Sequence, residues 1–145
     1  MRFTGRLFRD GTLWLAEIPV LDAATQGSTR REAYAMVADL LRSLANQPDL
    51  TVEIHRGKNN EFEVSSPDTR TLISLLLRRQ RQRSGLSLAE VAQRLGAKSR
   101  NTYARYERGT SMPTVEKLSE LLRAVAPGRD LVLQQSSQSS REVLY

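Results

Sequence analysis

Apolar and polar positions along the chain change their period near residue 67. Residues 3–8, FTGRLF, and 13–18, LWLAEI, are short aromatic and aliphatic runs with Asp10-Gly11 between them, the pattern of a β-hairpin. Pro19 has no amide to donate and closes the second strand, leaving Ala23 to Gln26 as a short third strand that Gly27 breaks. Thr29 followed by Glu32 has the spacing of a capping box and starts a helix. Its apolar stripe is Ala33, Met36, Val37, Leu40, Leu41 and Leu44, and Asn46 and Pro48 stop it. Val52 and Ile54 alternate with Glu53 and His55, and Phe62 and Val64 with Glu61 and Glu63, across a GKNN turn. The first half therefore reads β-β-β-α-β-β.

After the polar connector Ser65 to Asp68 the period is helical. Leu72, Ile73, Leu76 and Leu77 mark one helix, which runs through RRQRQR to Ser84-Gly85. Ser87 and Glu90 open a second, with Leu88, Val91, Ala92 and Leu95 inward until Gly96. GAKSRNTYARYERG, residues 96–109, supplies a third. Met112-Pro113-Thr114 leads into a fourth, with Val115, Leu118, Leu121, Leu122 and Val125 inside. Asp130 to Gln134 is a candidate strand, and the tail from residue 135 has the composition of a flexible end. The expected class is α+β, with domains at 1–67 and 68–134 and a tail at 135–145.

Charge sharpens the division. Residues 1–67 carry 8 Lys/Arg against 9 Asp/Glu, and residues 68–145 carry 14 against 7. From net charge, the second half is the one expected to address a polyanion. No run of about 18 apolar residues spans a bilayer, and the N-terminus lacks the apolar core of a secretory signal, so a cytoplasmic protein without membrane partners is expected. The chain has no cysteine and one histidine, His55, which excludes disulfides and thiolate metal sites and leaves no cluster for a structural zinc. No cofactor is expected. Domains of roughly 65 residues are marginal alone, which favours dimerisation.

LSLAEVAQRLG, the short turn, SRNTYARYERG and the Pro-led helix resemble the XRE or Cro-type helix-turn-helix repressors over residues 70–126. The resemblance implies a lambda repressor-like four-helix domain, a close approach of the second and third helices at Ala92 and Gly96, Tyr103 and Tyr106 in the core, and an ion pair between Arg81 and Glu107. Leu88 and the turn Gly96 to Ser99 depart from the usual pattern. The first half is similar to the N-terminal domain of HicB antitoxins, whose recurring Pro, Gly-x-Thr and Glu-Ala fall here on Pro19, Gly27, Thr29, Glu32 and Ala33; the usual Pro-Gly-Cys is absent. That resemblance implies a partial RNase H-like fold which masks a small HicA-type ribonuclease toxin, while the other domain represses the shared operon.

A helix entering the major groove must offer bidentate donors and acceptors to base edges, and Arg100 and Asn101 suit guanine and adenine. Lys98, Ser99 and Thr102 stand at the start of that helix, where a phosphate is also favoured, and Arg105 lies one turn on. These six are the expected DNA-binding residues. In RRQRQR, Arg79 and Arg83 share one face, while Arg81 is reserved for Glu107. Catalysis is not expected. A metal-dependent nuclease needs converging carboxylates, whereas Asp10 lies in a turn, Glu17 late in a strand and Glu32 in the cap. His55, alternating with inward residues, is expected to face solvent without an orienting partner. Trp14 reads as core or interface. The function expected is an antitoxin that neutralises a small basic toxin, helped by acidic residues such as Glu17 and Asp22, and represses its own operon as a homodimer or higher homo-oligomer. The alternative is a stand-alone repressor whose first half senses a ligand or supports oligomerisation.

Overall fold

The computed structural model describes residues 1–136 and 141–145, and of residues 141–144 the backbone. Contacts divide it into two units, residues 1–72 with 136–145, and residues 73–135. The division falls within a helix, five residues beyond the connector where the sequence pattern changes.

In the first unit, the β1 strand Phe3–Asp10 turns at Gly11 into β2, Leu13–Ile18. Pro19–Leu21 form one 3-10 turn, β3 is Ala23–Gly27 and α1 is Arg30–Ala45. The β4 strand Glu53–Arg56 and β5, Glu61–Ser65, make the second hairpin. The sheet is six-stranded in the order β3-β2-β1-β5-β4-β6, and every pairing is antiparallel. The expected β-β-β-α-β-β order is thus present, with one strand added. That strand, β6, is Arg141–Leu144, paired with β4 so that Ile54 faces Val143. A flexible end was expected at 135–145. The polar QQSSQSS run hides four residues whose ladder partner lies nearly ninety positions back in the sequence, a pairing no local pattern reports.

One face of the sheet carries Phe3, Leu7, Ala16, Ile18, Ile54, Phe62 and Val64, all buried, and α1 packs there with Ala33, Tyr34, Val37, Ala38 and Leu41. Burying side chains of this size contributes about 1.5–3 kcal/mol each, which makes this layer the unit's main support. The expected stripe on α1 is displaced by part of a turn. Tyr34 enters the core edge-on to Phe62, at 5.6 Å between ring centroids, whereas Met36 is exposed. Gly27 is needed at the end of β3, because a Cβ there would stand 2.4 Å from the Ala33 nitrogen. Gly5 leaves room for the Phe62 ring, which would meet a Cβ at 2.2 Å. The α1 start follows the capping pattern with one shift. The Thr29 hydroxyl accepts the Glu32 N–H at 3.0 Å, and the Glu32 carboxylate accepts from the Ser28 N–H at 2.8 Å and from the Ser28 hydroxyl.

His55 does not face solvent. It is buried, with Nε2 2.8 Å from the Ser65 hydroxyl, which donates to Glu53 at 2.9 Å. Pairing with β6 makes β4 an interior strand, and the cross-strand Ser65 supplies the polar partner that burial of an imidazole requires.

The second unit is helical. The α2 helix Thr69–Arg83 enters it, followed by α3 (Leu88–Arg94), α4 (Asn101–Glu107) and α5 (Val115–Val125). Its core joins Ile73, Leu77, Val91, Ala92, Tyr103, Tyr106, Leu121, Ala124 and Val125. Leu118 and Leu122 pack at its margin, but Val115, expected inside, is 85% exposed, since it opens α5 beyond the reach of the core. Asp130 to Gln134 form no strand: a strand needs a neighbouring ladder, and a single chain offers this segment none.

Candidate nucleic-acid interface

The outward face of α4 is set by what its inward face buries. Tyr103, Ala104, Tyr106 and Glu107 are buried, so the remaining positions of this short helix, Asn101, Thr102 and Arg105, project outward. Lys98, Ser99 and Arg100 immediately before it are exposed too. The six residues expected to bind DNA therefore lie on one exposed surface of consecutive turns. Their local roles differ. The Ser99 hydroxyl accepts the Asn101 N–H at 3.2 Å, so Ser99 shapes the entry to the helix. Arg100 is helical in conformation and its carbonyl accepts the Ala104 N–H at 2.9 Å, which aims the Arg100 and Asn101 side chains from the first turn. The Arg105 guanidinium lies 5.1 Å from the centroid of the Tyr106 ring and 3.4 Å from its hydroxyl, held against an aromatic edge.

What fixes α4 against the rest of the unit is polar as well as apolar. Arg81 of α2 grips the Glu107 carboxylate with both arms of its fork, Nε to Oε2 at 2.8 Å and Nη2 to Oε1 at 3.0 Å, as the sequence resemblance implied. Its third arm, Nη1, donates to the Leu86 carbonyl at 2.9 Å. The hydrogen bonds to Glu107 raise the Arg81 pKa against the opposing effect of burial. Arg78 donates to the Glu107 carbonyl at 3.3 Å, and the Ser74 hydroxyl to the Tyr106 carbonyl at 2.8 Å. Three residues of α2 thus hold the far end of α4. Arg79 turns instead to Gln82, at 3.2 Å. Two further cations are structural: Arg94 donates to the Ala124 carbonyl at 3.0 Å, and Arg129 to the Ser84 hydroxyl at 2.8 Å.

Between α3 and α4 the chain reverses at Gly96, whose φ of +71° is costly for any residue with a side chain. The Ala97 N–H reaches back to the Ala92 carbonyl at 2.9 Å and closes the end of α3. Gly96 was expected to permit close helix approach. A Cβ there would meet nothing within 4 Å, so the glycine is required by the backbone turn, and Ala92, 3% exposed, is the small residue at the contact. Tyr103 is fully buried, and its hydroxyl lies beside the Arg81–Glu107 pair without a hydrogen bond of good geometry to either. Burial, then the Glu107 charge, drive its pKa well upward.

Two helices joined by a tight turn, the second with a polar exposed face and braced from behind by a third, define a helix-turn-helix module. A family model described as helix-turn-helix matches residues 77–125, from the middle of α2 to the end of α5, which assigns DNA binding in transcription regulation to this unit. No curated protein matches the chain. Among the described residues no helix is long and apolar enough to cross a membrane, and no group of three or more His, Asp or Glu side chains is placed to hold a metal ion.

Proposed function

We propose that the chain is an antitoxin and autorepressor. Its second unit reads the operator upstream of its own gene through Arg100 and Asn101, with Arg105 on the phosphate backbone, and its first unit binds and masks a small basic HicA-like ribonuclease toxin in the cytoplasm. The observation that carries the DNA half is the exposed row from Lys98 to Arg105 standing on a buried backing of Tyr103, Ala104, Tyr106 and Glu107. The antitoxin half is supported by the HicB-like residues Pro19, Gly27, Thr29, Glu32 and Ala33, all placed at the β2–β3–α1 passage. The unit performs no catalysis in this reading. A stand-alone repressor would share the DNA half and lack the toxin. Co-expression with the product of the neighbouring reading frame separates the two: a stable complex supports the antitoxin, and independent elution of the two proteins leaves the stand-alone repressor.

Half-site recognition needs two copies of α4 one DNA turn apart, so the acting species is a dimer. The apolar segment Leu131, Val132 and Leu133, with Val132 83% exposed, is suited to pair with its mate across a two-fold axis. Cutting the chain near Pro127 would also remove β6, so the clean test is Val132→Pro: loss of the dimer in sedimentation supports this pairing, and an intact dimer refutes it.

A further inference from the structure

At one end of the first unit's sheet three turns of chain meet. The register pairs Asp10 with Leu13, Trp14 with Gly27, and Arg56 with Phe62, and the Leu7 N–H donates to the Asn60 carbonyl at 2.8 Å, tying the two hairpins together. The first turn of α1 follows directly from Gly27. This end carries Arg9, Arg30, Arg31, Arg56 and Lys58, all exposed. Three of the guanidiniums are layered on aromatic rings: Arg30 lies 4.6 Å and Arg9 5.3 Å from the Trp14 centroid, and Arg56 4.9 Å from that of Tyr34. Among the described residues no carboxylate pairs with any of these three, and the one acid in the first turn of α1, Glu32, is turned onto Ser28. A near-neutral unit thus gathers unpaired cations at one end.

We propose that this end binds single-stranded RNA. A guanidinium held against a ring by one face keeps its in-plane N–H fork for a phosphate and its outer face for a base. Alternating cations and rings are what an unpaired strand uses, since its bases are free to stack while its phosphates are neutralised. A duplex hides its bases, and an acidic peptide has no aromatic bases to lay on the layered faces. The site is independent of the recognition helix and of the toxin reading.

Trp14 is the only tryptophan of the chain, so its emission reports the site directly. The full chain is titrated with an oligouridylate of about 12 nucleotides at low salt. The expected result is a saturable change in Trp14 emission. Its affinity falls as salt rises, with a log–log slope near −2 for about three phosphates. Arg9→Ala with Arg30→Ala lowers the affinity at least tenfold. Arg30→Lys, which keeps the charge and loses the planar face, lowers it severalfold, a loss that charge alone does not explain. Arg100→Ala leaves the response intact. An unchanged emission at saturating oligonucleotide overturns the proposal. So does equal affinity for a duplex of unrelated sequence or for polyglutamate, which would make the site a general polyanion or acidic-protein surface.

Discussion

Removing the Glu107 carboxylate tests how the recognition surface is held. The side chains of Arg81 and Glu107 are 16% and 6% exposed, and the pair is bidentate at 2.8 and 3.0 Å. Glu107→Ala leaves Arg81 with one bond of three, to the Leu86 carbonyl, and a buried cation with no counter-charge. Breaking such a pair from one side costs about 3 kcal/mol or more. For a unit of this size that lowers the melting temperature by about 12 °C or more. Arg81→Ala costs a similar amount because it strands the carboxylate. The two losses share one interaction, so the double variant is expected to cost about 2 kcal/mol less than their sum. Urea unfolding of the four proteins measures this directly. DNA affinity should follow the folded fraction, since neither residue reaches solvent on the α4 face. A cost below about 1 kcal/mol for Glu107→Ala, or strict additivity, would refute the reasoning and leave apolar packing as what orients α4.

Other outcomes follow from the same geometry. Arg105→Ala should weaken binding to every DNA sequence alike and reduce the salt slope by about one, measured by fluorescence anisotropy; a sequence-selective loss would make Arg105 a base reader. Tyr103→Phe removes a buried hydroxyl that makes no hydrogen bond of good geometry, so stability should stay level or rise by up to about 1 kcal/mol, and a clear loss in thermal unfolding would show that the adjacent Arg81–Glu107 pair satisfies it. Asp68 accepts the Thr71 N–H at 3.0 Å and the Thr71 hydroxyl at 2.6 Å, which hold its carboxyl below the ordinary value of 3.8. A depressed pKa stabilises the folded state above the ordinary value and loses that contribution as pH falls through the lower, folded one. Asp68→Ala should therefore cost about 1 kcal/mol near neutrality and the gap to wild type should close only below pH 3.8; a gap that persists in stronger acid would exclude the carboxylate as its source.

Much of the fold is legible where the signal is local. Asp10-Gly11, the Thr29 cap, Gly96 and the Pro-led entry to α5 each specify a turn or a helix end within a few residues, and the structure places them there. The exposed character of Lys98 to Arg105 is legible for the same reason, because the two tyrosines at helical spacing claim the inward face. Three features depend on distant partners and could not be read. β6 exists only because β4 offers an edge, and His55 is buried with its polar partner, Ser65, on the neighbouring strand rather than nearby in the sequence. Tyr34 replaces Met36 in the core because Phe62, across the sheet, presents a ring to meet it. Trp14 acquires its two guanidiniums from Arg9 on β1 and Arg30 at the start of α1, positions 21 residues apart in the sequence that meet only once Gly27 has brought α1 against β2.

Base reading by α4 is tested most directly by one binding comparison. The full chain and its Arg100→Ala/Asn101→Ala variant are titrated, at fixed salt, against the DNA upstream of the gene and against a scrambled duplex of equal length. The wild type should prefer the upstream sequence by about 10³-fold or more, and the variant should lose that preference while keeping the weak affinity for the scrambled duplex. Equal binding of both duplexes by the wild type, or a preference that survives the double substitution, would contradict it.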